Sequence, residues 1–113
     1  MRILHYLMEN PVQGESIEFN DNRLALYCAQ QGKGAVTGRP LSIGDIHCHH
    51  KTRKADGGDD RYLNLVLVCA DVHTLLHATK ENTIKYYAGK LSLDYWQKDR
   101  LNRLRSRLNL NPI

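Results

Sequence analysis

Ile46-His47-Cys48-His49-His50-Lys51 and, after a polar stretch, Leu63-Asn64-Leu65-Val66-Leu67-Val68-Cys69-Ala70-Asp71-Val72-His73-Thr74-Leu75-Leu76-His77 carry the pattern on which the fold turns. From Ile43 to His50 the side chains alternate with a period of two, which predicts a β-strand. Ile46, Cys48 and His50 then share one face, and Asp45, His47 and His49 the other. Lys51 to Tyr62 is polar, contains Gly57-Gly58 and reads as a surface loop. Leu63 to Val68 is rich in apolar and β-branched residues and predicts a second strand. Asp71 suits the N-cap of a helix that begins at Val72 and carries His73 and His77. The local order is strand, loop, strand, helix.

Outward from this centre the flanks read as helical. Met1 to Met8 predicts a short helix stopped at Asn10-Pro11. Pro11 to Glu18 is a connector. Asn20-Asp21 suits the cap of a helix running to about Gln31, broken by Gly32-Lys33-Gly34. Ala35 to Gly44 is turn-rich, with Thr37-Gly38 and Arg39-Pro40 marking reversals. Glu81 to Lys90 and Ser92 to Leu108 predict two more helices, the last with Leu101, Leu104 and Leu108 at helical spacing. The expected class is α+β: one domain over residues 1–113, with a core at about 43–80 and helical flanks at about 1–32 and 81–108.

A chain of 113 residues with 42% hydrophobic content supports one modest core. Its longest apolar run, Leu65 to Ala70, is too short to cross a bilayer. Glu9 and Asn10 interrupt any secretory h-region near the start, so an intracellular, cytoplasmic location and no membrane partner are expected. Three cysteines, Cys28, Cys48 and Cys69, form no CxxC pair, which argues against a disulfide framework and against a four-cysteine knuckle. Cys48 is expected to be a buried hydrophobe. The net charge of +4 is compatible with nucleic acid. Its placement says more, with Lys51, Arg53 and Lys54 following the histidine pair and Lys98, Arg100, Arg103, Arg105 and Arg107 crowding the last helix.

Of six histidines, five fall between His47 and His77. His73 and His77, four apart on a helix, project from one face about a turn apart and can share a cation. His49 and His50 end a strand on opposite faces, so one can join the cation while the other meets a substrate. Either pair alone is a common surface feature. Two pairs bracketing a glycine-bearing loop and a β-strand predict a metal site. Phosphodiester hydrolysis needs an activated water, charge neutralisation on the phosphate and help for the departing 3′ oxygen. Neutral imidazole can accept a proton at physiological pH, and a divalent cation supplies Lewis acidity. Asn64 could fix the loop or a histidine through its amide, or serve as an ordinary turn residue.

His49-His50-Lys51, Gly57-Gly58-Asp59, Asn64-Leu65 and His73-x-x-x-His77 together resemble the HNH, or ββα-metal, nuclease signature. Within that family, the resemblance is closest to the C-terminal endonuclease domain of bacterial group II intron-encoded reverse transcriptase/maturases. Asn22-Arg23-Leu24, Ala35-Val36-Thr37-Gly38, Ile46 to Lys51, Asn64 to Val68, Val72-His73 and the closing Asn111-Pro112-Ile113 carry this narrower likeness. The resemblance implies that His50 is the general base, that His49, His73 and His77 hold the metal, and that Asn64 is the structural middle letter of the signature. It implies nicking of target DNA during intron mobility, with group II intron RNA a partner through a larger protein. Gly34 stands where relatives carry a cysteine, so an auxiliary zinc knuckle is not implied. Thr52-Arg53-Lys54 stands where relatives place a proline.

One divalent metal ion is therefore the expected cofactor. Three imidazoles favour zinc or nickel by ligand softness, while the resemblance implies magnesium or manganese as the working ion. DNA is the expected partner, with Lys51, Arg53 and Lys54 contacting phosphates. The Lys98–Arg107 stretch reads as the polar face of an amphipathic helix or as a track for a duplex. Tyr62, Tyr86, Tyr87, Tyr95 and Trp96 read as packing residues. Two rival functions stay open, a DNA-binding remnant that has lost cleavage and a structural zinc module with a closed four-ligand site. Oligomeric state and target sequence have no signature here.

Overall fold

The computed structural model describes residues 2–113. Met1, part of the first expected helix, lies outside them. The described residues form helices α1 (Arg2–Glu9) and α2 (Ile17–Ala29), strands β1 (His47–His50) and β2 (Leu65–Val68), and helices α3 (Ala70–His77), α4 (Glu81–Leu91) and α5 (Tyr95–Arg107). This is the α+β class, with a ββα core flanked by helices.

The two strands pair antiparallel, with His47 opposite Val68, Cys48 opposite Leu67, His49 opposite Val66 and His50 opposite Leu65. Residues directly opposite share a face of the sheet, so the alternation in the sequence becomes a division of labour. Leu65 and Leu67 pack with Phe19, Leu26 and Leu41 on the α2 side. Val68 joins Val36, Val72, Leu75, Leu76, Leu91 and Leu101 on the α3 side. A β2 buried on both faces explains its unbroken Leu-Val-Leu-Val run. His49, opposite Val66, lies on the α3 side, and His50, opposite Leu65, on the α2 side.

Several boundaries differ from the sequence reading for identifiable reasons. Helix α2 starts earlier because Ser16 caps it, accepting from the Phe19 N–H at 2.9 Å. Asn20 is spent elsewhere, its Oδ1 accepting from Val12 N–H at 2.7 Å and holding the connector. Strand β1 is shorter than expected because Ser42 to Asp45 turns, with Asp45 N–H donating to the Ser42 carbonyl at 2.9 Å. Strand β2 starts late because Tyr62–Asn64 closes a 3₁₀ turn. Helix α3 begins at Ala70, one residue before the expected cap Asp71. Helix α5 begins after Asp94, which forms a capping box with Gln97, whereas Ser92 takes a left-handed conformation at φ 49°.

The long side chains also depart from expectation. Tyr62, Tyr86, Tyr95 and Trp96 are exposed, and of the five aromatics only Tyr87 packs against the core. Arg105, expected on a polar face, is 2% exposed. Its guanidinium donates to the carbonyls of Leu75 at 2.8 Å, Ala78 at 2.8 Å and Asn111 at 2.8 Å, closing the C-terminal end of α3. Cys48 is half-buried against the α2-side cluster. Burial pushes its thiol up to about 12, which makes it an inert packing group. No helix among the described residues is long and apolar enough to cross a membrane.

Candidate metal centre and nuclease site

Strand β1 delivers His49 and helix α3 delivers His73 and His77 to one point. One ring nitrogen from each of the three lies within 4.8 Å of the others, and this is the one such group among the described residues. The ring centroids sit 5.3 Å apart for His49 and His73, 5.1 Å for His49 and His77, and 4.9 Å for His73 and His77. His49 is buried and its Nε2 has no hydrogen-bond partner. A buried nitrogen left unpaired costs on the order of 1–3 kcal/mol, and a shared cation removes that cost. Half-buried His73 and exposed His77 leave the group open on one side. The donor set therefore fits a single divalent ion with room for further oxygen ligands.

The electrostatics agree with that use. Burial first, then the neighbouring imidazoles, hold His49 down at about 3. Burial, then His77 and His47, hold His73 at about 4. Burial, then the cations of Arg53 and Arg105, lower His77 as well. The rings of His49 and His73 are thus neutral at physiological pH, as ligation requires. His47 stacks on His73 with centroids 5.4 Å apart and forms a wall beside the group.

His50 points to the other side of the strand but borders the same open cleft of about 320 Å3, together with Cys48, His49, Arg53, Lys54, His73 and His77. Its ring stacks on Phe19 of α2 with centroids 5.5 Å apart. Its Nε2 lies 2.8 Å from Asp60 Oδ1. Asp60 is buried, accepts from Ser16 Oγ at 2.6 Å and sits 3.2 Å from Lys54 Nζ. The hydrogen bonds from Ser16 and His50 hold its carboxyl down at about 2, so it is a carboxylate.

Asn64 is buried and does not line this cleft. Its Oδ1 accepts from Thr52 N–H at 2.9 Å, and its Nδ2 donates to the carbonyls of Thr52 at 3.1 Å and Asp59 at 2.7 Å. It pins both ends of the loop that follows β1. Gly58 is required at the same point, because a Cβ there would collide with the Thr52 carbonyl oxygen. Arg53 and Lys54 line the cleft, with Arg53 also bonded to Asp56 at 3.0 Å. Lys51 is half-buried and does not line it; burial, then Arg107, lower its ammonium.

Sequence reasoning missed Asp60, Ser16 and Phe19. Asp60 is the second of two adjacent loop aspartates, and Ser16 sits in a connector, so neither has a spacing that points to His50. The serine's position before an apolar residue at 17 and an acid at 18 is a helix-start signal that could have drawn attention to it.

A strand and a helix bring three imidazoles together beside a fourth, hydrogen-bonded one, a ββα arrangement able to hold a metal ion. Residues 26–79 match the family model described as HNH endonuclease. The match begins inside α2 and stops before α4, and it suggests a nuclease of the HNH type that hydrolyses phosphodiester bonds in nucleic acid. No curated protein and no solved structure matches the chain. The narrower likeness to intron-encoded maturases rests on sequence motifs alone.

Proposed function

We propose that this chain is a metal-dependent endonuclease that nicks DNA, with His50 as general base and His49, His73 and His77 as metal ligands. The observation that carries the reading is the convergence of three imidazoles, one with a buried unpaired nitrogen, on a cleft that His50 also borders. When bound, the cation supplies Lewis-acid neutralisation of the charge that grows on the phosphate and the departing oxygen. His50 takes a proton from the attacking water, whose oxygen bonds to phosphorus as the bond to the 3′ oxygen breaks. That oxygen leaves as a 3′-hydroxyl after protonation from solvent. Arg53 and Lys54 hold the flanking phosphates, and Lys51 with Arg107 extends the basic surface beyond the loop. Asn64 acts by fixing the loop that carries Arg53 and Lys54.

The motif likeness supports a finer reading. The nick falls on target DNA of a group II intron, in the bacterial cytoplasm, and the freed 3′-hydroxyl primes reverse transcription of intron RNA bound by a larger protein. Magnesium or manganese is assigned as the working ion. His50, the three candidate ligands, Arg53 and Lys54 all border the cleft, which supports an active enzyme over the remnant reading.

Supercoiled plasmid tests the activity. Metal-stripped protein should leave it intact, and added magnesium or manganese should convert it to nicked circles. His50→Ala should lower the rate by about 100-fold or more. Equal nicking by His50→Ala, or none by the native chain with magnesium, manganese, zinc or nickel, would reject the reading.

A further inference from the structure

Asp60 gathers three donors around one buried carboxylate. Ser16 Oγ reaches Oδ2 at 2.6 Å, His50 Nε2 faces Oδ1 at 2.8 Å and Lys54 Nζ lies at 3.2 Å. The backbone of Asp60 is held as well, its carbonyl accepting from Asn22 Nδ2 at 2.8 Å. Ser16 has no freedom to turn, because its oxygen accepts from Phe19 N–H at 2.9 Å and its hydrogen must go to Asp60. Ser16, Phe19 and Asn22 all lie outside the segment 26–79 that matches the HNH family model. The helix that precedes the nuclease core thus grips the histidine at its centre from behind.

An ionised carboxylate only accepts hydrogen bonds. His50 must then donate through Nε2, which leaves the lone pair on Nδ1. We propose that Asp60 is a positioning residue that fixes this tautomer, so that Nδ1 of His50 is the proton acceptor, and that Ser16 fixes which oxygen of Asp60 meets the ring. The proposal rests on the reading of His50 as general base.

Asp60→Asn makes the consequence sharp. The Ser16 hydroxyl demands an acceptor, so the amide oxygen turns to Ser16 and the amide nitrogen faces His50. That nitrogen donates to Nε2, and the proton of the ring moves to Nδ1. The base then has no lone pair where it needs one, although shape and packing are nearly unchanged. A buried aspartate behind a catalytic histidine in the serine proteases shows the same sensitivity, where the asparagine variant loses about 10⁴-fold.

The test has two arms on the full chain. In the first, long-range proton–nitrogen NMR of the metal-free protein at about pH 8, where an ordinary imidazole is neutral, reads the His50 tautomer. The native chain should carry hydrogen on Nε2 and Asp60→Asn on Nδ1. Nε2–H in both overturns the proposal, whatever the nuclease activity. In the second, plasmid nicking is compared with DNA affinity. Asp60→Asn should lose about 1000-fold in rate with unchanged affinity, and Asp60→Ala, whose ring is free to choose, only about 10-fold. A purely structural aspartate gives the reverse order, with the alanine variant worse, and that order overturns the proposal. Ser16→Ala combined with Asp60→Asn should recover part of the rate, since the amide can turn back; a loss as deep as in Asp60→Asn alone overturns the role of Ser16. A native chain that shows the tautomer but cleaves nothing rejects the nuclease reading and leaves the Asp60–His50 linkage standing.

Discussion

Asp45 Oδ1 accepts a 2.7 Å hydrogen bond from the backbone N–H of Ala70, the first residue of the helix that carries His73 and His77. Cys69, at the cap position, makes no side-chain bond to the helix, so a carboxylate 25 residues back in the sequence does its work. Arg105 closes the other end of the same helix. The two histidines of α3 are therefore set by a charged side chain at each end of an eight-residue helix.

Asp45→Ala should lower stability by about 1 kcal/mol, the ordinary cost of a lost helix cap. In a domain of this size that is a fall in melting temperature of roughly 5 °C. Thermal unfolding in excess chelator measures it. An unchanged melting temperature would show that the bond does not hold the helix.

Asn64 should tolerate neither loss nor charge. Asn64→Ala leaves the Thr52 N–H and the Asp59 carbonyl without their partner and should cost about 2 kcal/mol. Asn64→Asp should cost more, because a carboxylate would face the two carbonyl oxygens that Nδ2 now serves. Urea denaturation ranks the two, and the opposite order would contradict the assigned amide orientation.

Acid should weaken the metal-free protein well above the usual carboxylate range. His49 at about 3 and His73 at about 4 stay neutral in the folded chain, but ionise near 6.5 once unfolded. Between those values the unfolded chain binds more protons, so stability falls as pH falls. Asp60, held at about 2, adds a second loss as its carboxyl protonates at still lower pH. The melting temperature in chelator should drop by roughly 10 °C from pH 7.5 to pH 5. A flat or rising profile over that window would contradict the burial of these imidazoles.

The centre of the molecule was legible because its signals are local. Alternation put His49 and His50 on opposite faces, and four-residue spacing put His73 and His77 on one. The pattern left open which of His49 and His50 faces the helix pair, and the structure puts His49 there, its ring nitrogen within 4.8 Å of those of His73 and His77. What stayed hidden depends on contacts between distant residues. Asp45 reaches a helix that the nearby Asp71 was expected to cap. Arg105 sits among leucines at a position that reads as polar surface, and Asp60 finds His50 only when the loop folds back. Lys51 shows the converse, a residue adjacent to the histidine pair whose side chain does not line the cleft.

Zinc titration of chelator-stripped protein, followed by calorimetry, tests the shared-cation site most directly. The account predicts one ion per chain and at least about 100-fold weaker binding in each of His49→Ala, His73→Ala and His77→Ala. It predicts unchanged binding in His5→Ala, whose ring is exposed on α1 beside Glu9. Binding that survives removal of His49 at full strength would mean that the strand and the helix do not share a cation, and the proposed site would be wrong.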